Sequence, residues 1–272
     1  MNPLEKTNLF RVQPGKKVSL KDIDSSSKGD FSEKSETLER LKVLHERLVE
    51  LQQRLYAENK QSLLIIFQAM DTGGKDGAAK SLLTGIDPAG IAVTSFKVPT
   101  AQELAHDFLW RIHAAAPARG LIGVWNRSHY EDVLVPRVHN WIDKKTCEAR
   151  YSHINDFEQL LSENGTTIVK FFLHISKDEQ KERLQARLND PAKHWKFNAG
   201  DLKERAKWDD YQTAYEDAIN ATSTEIAPWH IVPANSKWAR NIAIAETVTA
   251  AFEAMDPQFP TPDFDPKSIV ID

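Results

Sequence analysis

The sequence predicts an α/β fold of three layers, in which a central parallel sheet is covered by helices on both faces. Three observations predict it. Short apolar runs at Leu63–Phe67, Ile91–Phe96, Leu121–Trp125, Ile168–Ile175 and His230–Val232 alternate with longer segments of helical character, and strands that alternate with helices build parallel sheets buried on both sides. A glycine-rich stretch, Asp71 to Gly77, links the first run to a helical segment that continues through Leu83. Finally, a hydrophobic share of 41% and a charged share of 27% over 272 residues describe a globular chain able to bury a large core.

Taken in order, residues 1 to 30 carry scattered charge and the run Ser25-Ser26-Ser27 without sustained apolar periodicity, which reads as an irregular arm lying on the surface. A helix signal starts at Ser32. Leu41, Leu44, Leu48, Leu51 and Leu55 recur at spacings of 3, 4, 3 and 4, so all five share one helical face. Five leucines are too short a series for a coiled coil, and the face is expected to pack on the main domain. Residues 1–60 are therefore an arm plus an amphipathic helix, and 61–255 form the core. Within the core, helices are expected near 101–115, 146–163, 176–189 and 236–254. Ser176 followed by Glu179 has capping-box spacing, which supports a helix start there. The polar, basic stretch from Arg183 to Lys207, followed by a helix through about Asn220, reads as a lid spanning about 183–215. Pro257, Pro260, Pro262 and Pro266 forbid a regular helix, leaving 256–272 as an extended tail.

Composition excludes several classes of function. Cys147 is the only cysteine, so there is no intrachain disulfide and no zinc cluster, and a reducing compartment is the simplest reading. No apolar run approaches a membrane span, and MNPLEKTNLF lacks the apolar segment of a signal peptide, so the expected location is the cytoplasm. Lys and Arg total 35 against 39 Asp and Glu, a net charge of -4. Such a molecule has no overall basic field to gather nucleic acid or acidic membrane, and a polyanion would need a local cationic site.

Ala69-Met70-Asp71-Thr72-Gly73-Gly74-Lys75-Asp76-Gly77 supplies the start of one. Glycines between a strand and a helix let backbone amides converge on phosphate oxygens, the helix N-terminus adds partial positive charge, and Lys75 adds a full one. Gly73, Gly74, Lys75, Asp76, Gly77 and, further along the helix, Lys80 are the expected phosphate contacts. Two departures from the GxxxxGK[ST] pattern stand out: Ala69 replaces the first glycine and Asp76 the magnesium-binding hydroxyl. Asp71, inside the loop, is a candidate to hold Mg2+ directly. A second polar cluster, Asn126-Arg127-Ser128-His129-Tyr130-Glu131-Asp132, follows the third apolar run, where open α/β sheets place their ligands. Arg127 can neutralise a transferring phosphoryl group, Glu131 and Asp132 can orient a metal or its water, and Arg137 follows closely.

These motifs, continued by Asp190-Pro191 with Lys193-His194-Trp195-Lys196-Phe197 and by Trp208-Asp209-Asp210-Tyr211, resemble the second family of polyphosphate kinases over about Leu38 to Phe252. The resemblance implies a P-loop kinase-like fold with a helical lid. It implies phosphoryl transfer between inorganic polyphosphate and nucleotides, AMP and ADP going to ADP and ATP, with Mg2+ as cofactor. It also implies a homo-oligomer, a dimer or a tetramer. Asn126 and Glu131 resemble the subgroup that accepts AMP as well as ADP. Gly73 stands where many relatives carry Ala, which should only loosen the loop.

The chemistry needs little beyond what these residues offer. A nucleotide phosphate is already anionic near neutral pH, so no general base is required, and alignment with charge neutralisation can carry the reaction. Asp71, Lys75, Arg127 and Glu131 are the expected catalytic set. His129 could in principle carry a phosphoryl group, but direct in-line transfer is the better reading, with His129 a structural hydrogen-bonding residue. Residues 181–208 contain eight Lys and Arg against four Asp and Glu, a local cationic patch suited to a chain of phosphates. Arg183 and Arg187, four apart, share a helical face, and Lys196 lies in the lid motif, so all three are assigned to the polyphosphate. An ATP-dependent nucleotide kinase, or a nucleotide or polyphosphate binder without catalysis, would share much of this pattern. A nucleic-acid module would not, because the basic segment lacks the interleaved aromatics of a recognised type.

Overall fold

A computed structural model describes residues 10–31 and 33–271. Five parallel strands, β1 (Ser62–Gln68), β2 (Ile91–Ser95), β3 (Ile122–Asn126), β4 (Thr166–His174) and β5 (Trp229–Pro233), lie in the order β2-β3-β1-β4-β5. Every residue of β1 is buried, as its uninterrupted apolar run requires of a central strand. Its register pairs Phe67 with Asn126 on one side and with Phe171 on the other. The chain therefore leaves β1 and β3 at the same edge of the sheet, and the two polar clusters emerge side by side.

Helices cover both faces. α1 (Lys34–Glu58) buries Leu41, Leu48, Leu51 and Leu55, with Leu44 half-buried, and packs along α10 (Lys237–Met255). The predicted start at Ser32 lies outside the described residues. α1 ends on Asn59 in the left-handed region, φ 52°, where asparagine is tolerated. α10 buries 12 of its 19 residues because it lies between α1 and the sheet. Its alanines allow the close approach that this position demands.

Two expectations are corrected. The arm does not merely lie on the surface: Arg11 bridges antiparallel to His230, the amide of Val12 donates to the Trp229 carbonyl and that of Ile231 to Phe10, each at 2.8 Å, while Val12 and Leu20 join the main core. The arm thus covers the β5 edge of the sheet, which would otherwise expose unpaired backbone groups. Residues 101–115 form two short helices, α3 (Ala101–Leu104) and α4 (Trp110–Ala114). Thr100 and Glu103 make a capping box on the first, and Asp107 then accepts from the amide of Leu109, starting the second turn instead of continuing the helix.

α5 (Glu131–Val138) follows β3 directly, and α6 (Lys144–Glu163) precedes β4. After β4, the Ser176 hydroxyl caps α7 (Lys177–Leu188) by accepting from the amide of Glu179 at 3.1 Å. A 3-10 turn over Pro191–Lys196 and α8 (Gly200–Ala206) form an exposed flap. α9 (Trp208–Thr222) is different: Trp208, Tyr211, Tyr215 and Ile219 are buried, so the last part of the segment 183–215, from Trp208 on, is part of the core. Residues 256–271 are extended and mostly exposed, with one 3-10 turn at Pro266–Ser268. Among the described residues no helix is long and apolar enough to cross a membrane.

The buried edge of the sheet has a pH consequence. His230 is 3% exposed, and burial pushes its imidazole pKa down to about 4. Its folded value lies below the unfolded one, so the unfolded chain takes up the proton first, and stability present above pH 6.5 is lost as pH falls toward 4. The shift corresponds to about 3 kcal/mol. Thermal melts between pH 7.5 and 4.5 are expected to show a falling midpoint, and His230→Gln is expected to flatten the fall. An identical slope in that variant would refute the assignment.

Candidate functional site

A cleft of about 620 Å³ opens where β1, β2 and β3 end. Residues 71–77 form its floor. Thr72 and Gly74 take positive φ, 61° and 97°, reversing the chain so that α2 (Lys75–Leu82) points its N-terminus at the cleft. The loop carbonyls are engaged by side chains. Tyr215 Oη and Lys75 Nζ donate to Ala69 O at 3.1 and 2.9 Å, Gln180 Nε2 to Asp71 O at 3.0 Å, Arg183 Nη1 to Thr72 O at 3.0 Å, and Arg240 Nη1 to Gly74 O at 3.3 Å. With these carbonyls engaged and the Gly73 amide donating within the turn to Met70 O at 2.9 Å, the remaining loop amides at the α2 N-terminus are what the turn offers an anion. Gly73 does more here than loosen the turn. An added Cβ would lie 2.4 Å from Ala69 Cβ and 2.8 Å from Met70 O, so this conformation has no room for alanine.

The β3 end contributes the facing wall. Arg127 sits in the left-handed region, φ 64°, with its amide donating to Phe67 O at 3.0 Å. Its guanidinium lies between two carboxylates, Nη2 to Asp71 Oδ1 at 3.0 Å and Nη1 to Glu131 Oε2 at 3.4 Å. The Glu131 and Asp71 charges hold the Arg127 pKa up against the opposing effect of burial. In the amide orientation that satisfies both neighbours, Gln68 Nε2 donates to Glu131 Oε1 at 2.9 Å and its oxygen accepts from Ser128. Asn126 Nδ2 donates to Asp76 Oδ1 at 2.6 Å, and Lys196 Nζ reaches Asp76 Oδ2 at 3.3 Å. Burial alone would raise the Asp76 pKa. The hydrogen bonds from Lys196 and Asn126 and the nearby Lys75 charge outweigh it, and the net shift is downward. Asp76, in the place of the usual hydroxyl, thus ties the phosphate loop to the β3 end and to the flap.

The predicted residues divide clearly. The loop residues, Asn126 and Arg127, together with Arg183, Arg187 and Lys196 from the flap side, all line the cleft. Glu131 backs it through Arg127. Two do not converge: Lys80 is exposed along α2, and Arg137 donates to Tyr151 Oη at 3.0 Å and pairs with Asp217 beside a separate, smaller hollow. His129 is completely buried, with Nε2 3.2 Å from Glu158, and does not line the cleft. Trp208 is buried in the core, whereas Trp195 is 78% exposed on the flap.

Sequence reasoning missed four residues. Lys97, Lys237 and Asp201 also line the cleft. Lys97 directly follows an apolar run and Lys237 opens the helix after the last one, the same strand-end signal that singled out Arg127. The fourth is Arg240, 3% exposed, whose guanidinium lies under Gly74, where an added Cβ would meet it at 2.2 Å. Burial, with the Arg183 charge beside it, pulls its pKa down to about 10. A single arginine inside an Ala/Ile-rich helix was the available signal. In all, eight Lys and Arg line the cleft against three Asp, an anion site on a chain of net negative charge.

Among the described residues no group of three or more His, Cys, Asp or Glu is placed to hold a metal ion. The carboxylate of Asp71, 29% exposed at the loop, suits an ion that takes one or two protein oxygens and completes its shell with phosphate and water.

The family model described as polyphosphate kinase 2 (PPK2) matches residues 31–260. The chain is 49% identical to the AMP/ADP-polyphosphate phosphotransferase of Meiothermus ruber, covering 97% of this chain and 99% of that protein. It is 46% identical to the ADP-polyphosphate phosphotransferase of Rhodopseudomonas palustris, covering 94% and 92%. The crystal structure of polyphosphate kinase 2 from Arthrobacter aurescens TC1 superposes with a TM-score of 0.93 at 49% identity, over 98% of this chain and 95% of that one. The phosphate loop, the Arg127 wall and the cationic flap are thus carried by a chain that belongs to the polyphosphate kinase 2 family.

Proposed function

We propose that this protein transfers the terminal phosphoryl group of inorganic polyphosphate to AMP and to ADP, giving ADP and ATP, by reversible in-line displacement. The single observation that carries the reading is the cleft lined by eight Lys and Arg where β1 and β3 end, in a chain 49% identical to a protein named for AMP and ADP transfer. A phosphate oxygen of the acceptor attacks the terminal phosphorus, that phosphorus–oxygen bond to the chain breaks, and polyphosphate leaves one unit shorter. Lys75 and the loop amides bind the transferring group, and Arg127 neutralises its equatorial oxygens. Arg183, Arg187 and Lys196 hold the polymer. Asp71 would hold Mg2+, which supplies further charge neutralisation on the phosphates. Asn126 and Glu131 set the acceptor range. We further propose a cytoplasmic homo-oligomer, a dimer or a tetramer.

The test is transfer from long-chain polyphosphate to AMP and to ADP separately, with Mg2+ and without ATP, reading nucleotides by chromatography. Formation of ADP and then ATP from AMP is expected. ATP from ADP alone would match the relative named for ADP only and refute the acceptor range. No product from either would refute the donor.

Arg240 makes a separate prediction. A buried guanidinium bonded to the Gly74 carbonyl and Asn241 costs stability that an anion above the loop offsets. Arg240→Met is expected to leave the melting temperature unchanged or raise it by up to about 5 °C, while raising KM for polyphosphate at least about fivefold, a change of about 1 kcal/mol. An unchanged KM would show that Arg240 serves packing alone.

A further inference from the structure

Behind the Arg127 wall lies a charged cluster that the chemistry above does not use. Lys170, in the middle of β4, and Glu158, on α6, are 0% and 1% exposed and pair at 2.6 Å. Lys170 Nζ also donates to Tyr130 Oη and to Thr222 O, each at 2.8 Å. Tyr130 Oη donates to Glu158 Oε1 at 2.8 Å, the oxygen that His129 Nε2 approaches at 3.2 Å. Burial opposes the charge on Glu158, but Lys170 and His129 outweigh it and hold its pKa below the ordinary carboxylate value. Burial lowers the His129 pKa, against the opposing effect of Glu158.

Packing does not require charges here. Phe171, Leu173 and Val169 fill the neighbouring β4 positions, and an apolar pair of similar volume is often as stable as a buried ion pair or more so. What the cluster specifies is direction. His129 and Tyr130 lie between Arg127 and Glu131, in the turn that holds Arg127 at positive φ. Thr222 closes α9, whose Tyr215 binds the phosphate loop at Ala69 O. One ammonium therefore grips both the β3 turn and the helix that supports the loop. Buried hydrogen-bonded groups fix orientation more narrowly than apolar contacts do.

We infer that Glu158 and Lys170 are positioning residues for phosphoryl transfer: through His129, Tyr130 and Thr222 they set the Arg127–Glu131 turn against the phosphate loop. The inference rests on the proposed roles of Arg127 and Glu131.

The experiment compares three full-length variants with the parent, each shown folded by circular dichroism at the assay temperature, with Arg127→Ala as a control. Tyr130→Phe removes only the shared hydroxyl. Glu158→Met leaves Lys170 unpaired, and Glu158→Met combined with Lys170→Met restores an apolar, filled core. Glu158→Met is expected to lower the melting point and the double variant to recover it in part. In Tyr130→Phe and in the double variant kcat is expected to fall at least tenfold, with KM for polyphosphate and for the nucleotide within twofold. Recovery of kcat along with the melting point, together with parental kcat in Tyr130→Phe, would overturn the inference and leave the pair purely structural. Should Glu158→Met fail to fold, Tyr130→Phe and the double variant still decide. Full activity in Arg127→Ala would instead overturn the site assignment itself, so the two failures are distinguishable.

Discussion

Lys75→Ala is expected to lower kcat for transfer from polyphosphate to AMP or ADP by about 10³-fold or more, an increase in the barrier of about 4 kcal/mol. Lys75 lines the cleft as the first residue of α2, so its ammonium and the helix dipole can act on the same phosphate oxygens. Burial lowers its pKa, and the Arg127 charge adds to this, while Asp71, Glu131 and Asp76 oppose. An ammonium that is short of water gains most when it meets a phosphate, and it gains most of all when charge develops there in transfer. The hydrogen bond from Lys75 to Ala69 O at 2.9 Å is one of several on the loop carbonyls, so the melting temperature should move by only a few degrees. Steady-state kinetics and a thermal melt of the same preparation check both halves. Residual kcat within tenfold of the parent would remove Lys75 from the catalytic set.

Replacement of Arg127 should cost as much, by a different route. Its fork already spans Asp71 and Glu131, and the same planar group can turn two donors to a phosphoryl oxygen pair. An arginine that neutralises a transferring phosphoryl group is worth about 10³ to 10⁵ in rate. Arg127→Ala is expected to fall in that range, with KM for the nucleotide changed far less than kcat. Arg127→Lys should recover little, because one ammonium on a flexible stem cannot bridge two carboxylates and the substrate. Removing the cation also leaves Asp71 and Glu131 facing each other without their shared partner. A second consequence is therefore weaker Mg2+ dependence or a shifted Mg2+ optimum, readable in a metal titration of the variant. Lysine at 127 restoring more than a tenth of parental kcat would show that point charge suffices.

Much of this was legible before the fold. Five apolar runs separated by helical segments determined a parallel sheet, since strands buried on both faces can only be covered by the helices between them. Glycines between a strand and a helix, followed by Lys75, determined an anion site, because local backbone geometry is enough to make one. The second polar cluster was found for the same reason: it directly follows a buried strand. The lid was read from charge and polarity alone, which is why its boundary ran on into α9. Trp208, Tyr211 and Tyr215 reveal themselves as core only when α9 is laid against α5 and α6.

What only the tertiary structure decided is which charges meet. Lys80 and Arg137 resemble Lys75 and Arg127 in the sequence, yet helix rotation leaves one exposed and turns the other to Asp217. Arg240, more than 160 residues from the loop it supports, and Glu158 with Lys170, set on different elements, carry no local pattern that pairs them. The sequence by itself determined the sheet and the phosphate loop, because both follow from periodicity and from backbone geometry over a few adjacent residues. The fold decided the cationic wall, the support beneath the loop and the buried pair behind Arg127, because electrostatic and hydrogen-bonding partners are chosen by distance in space.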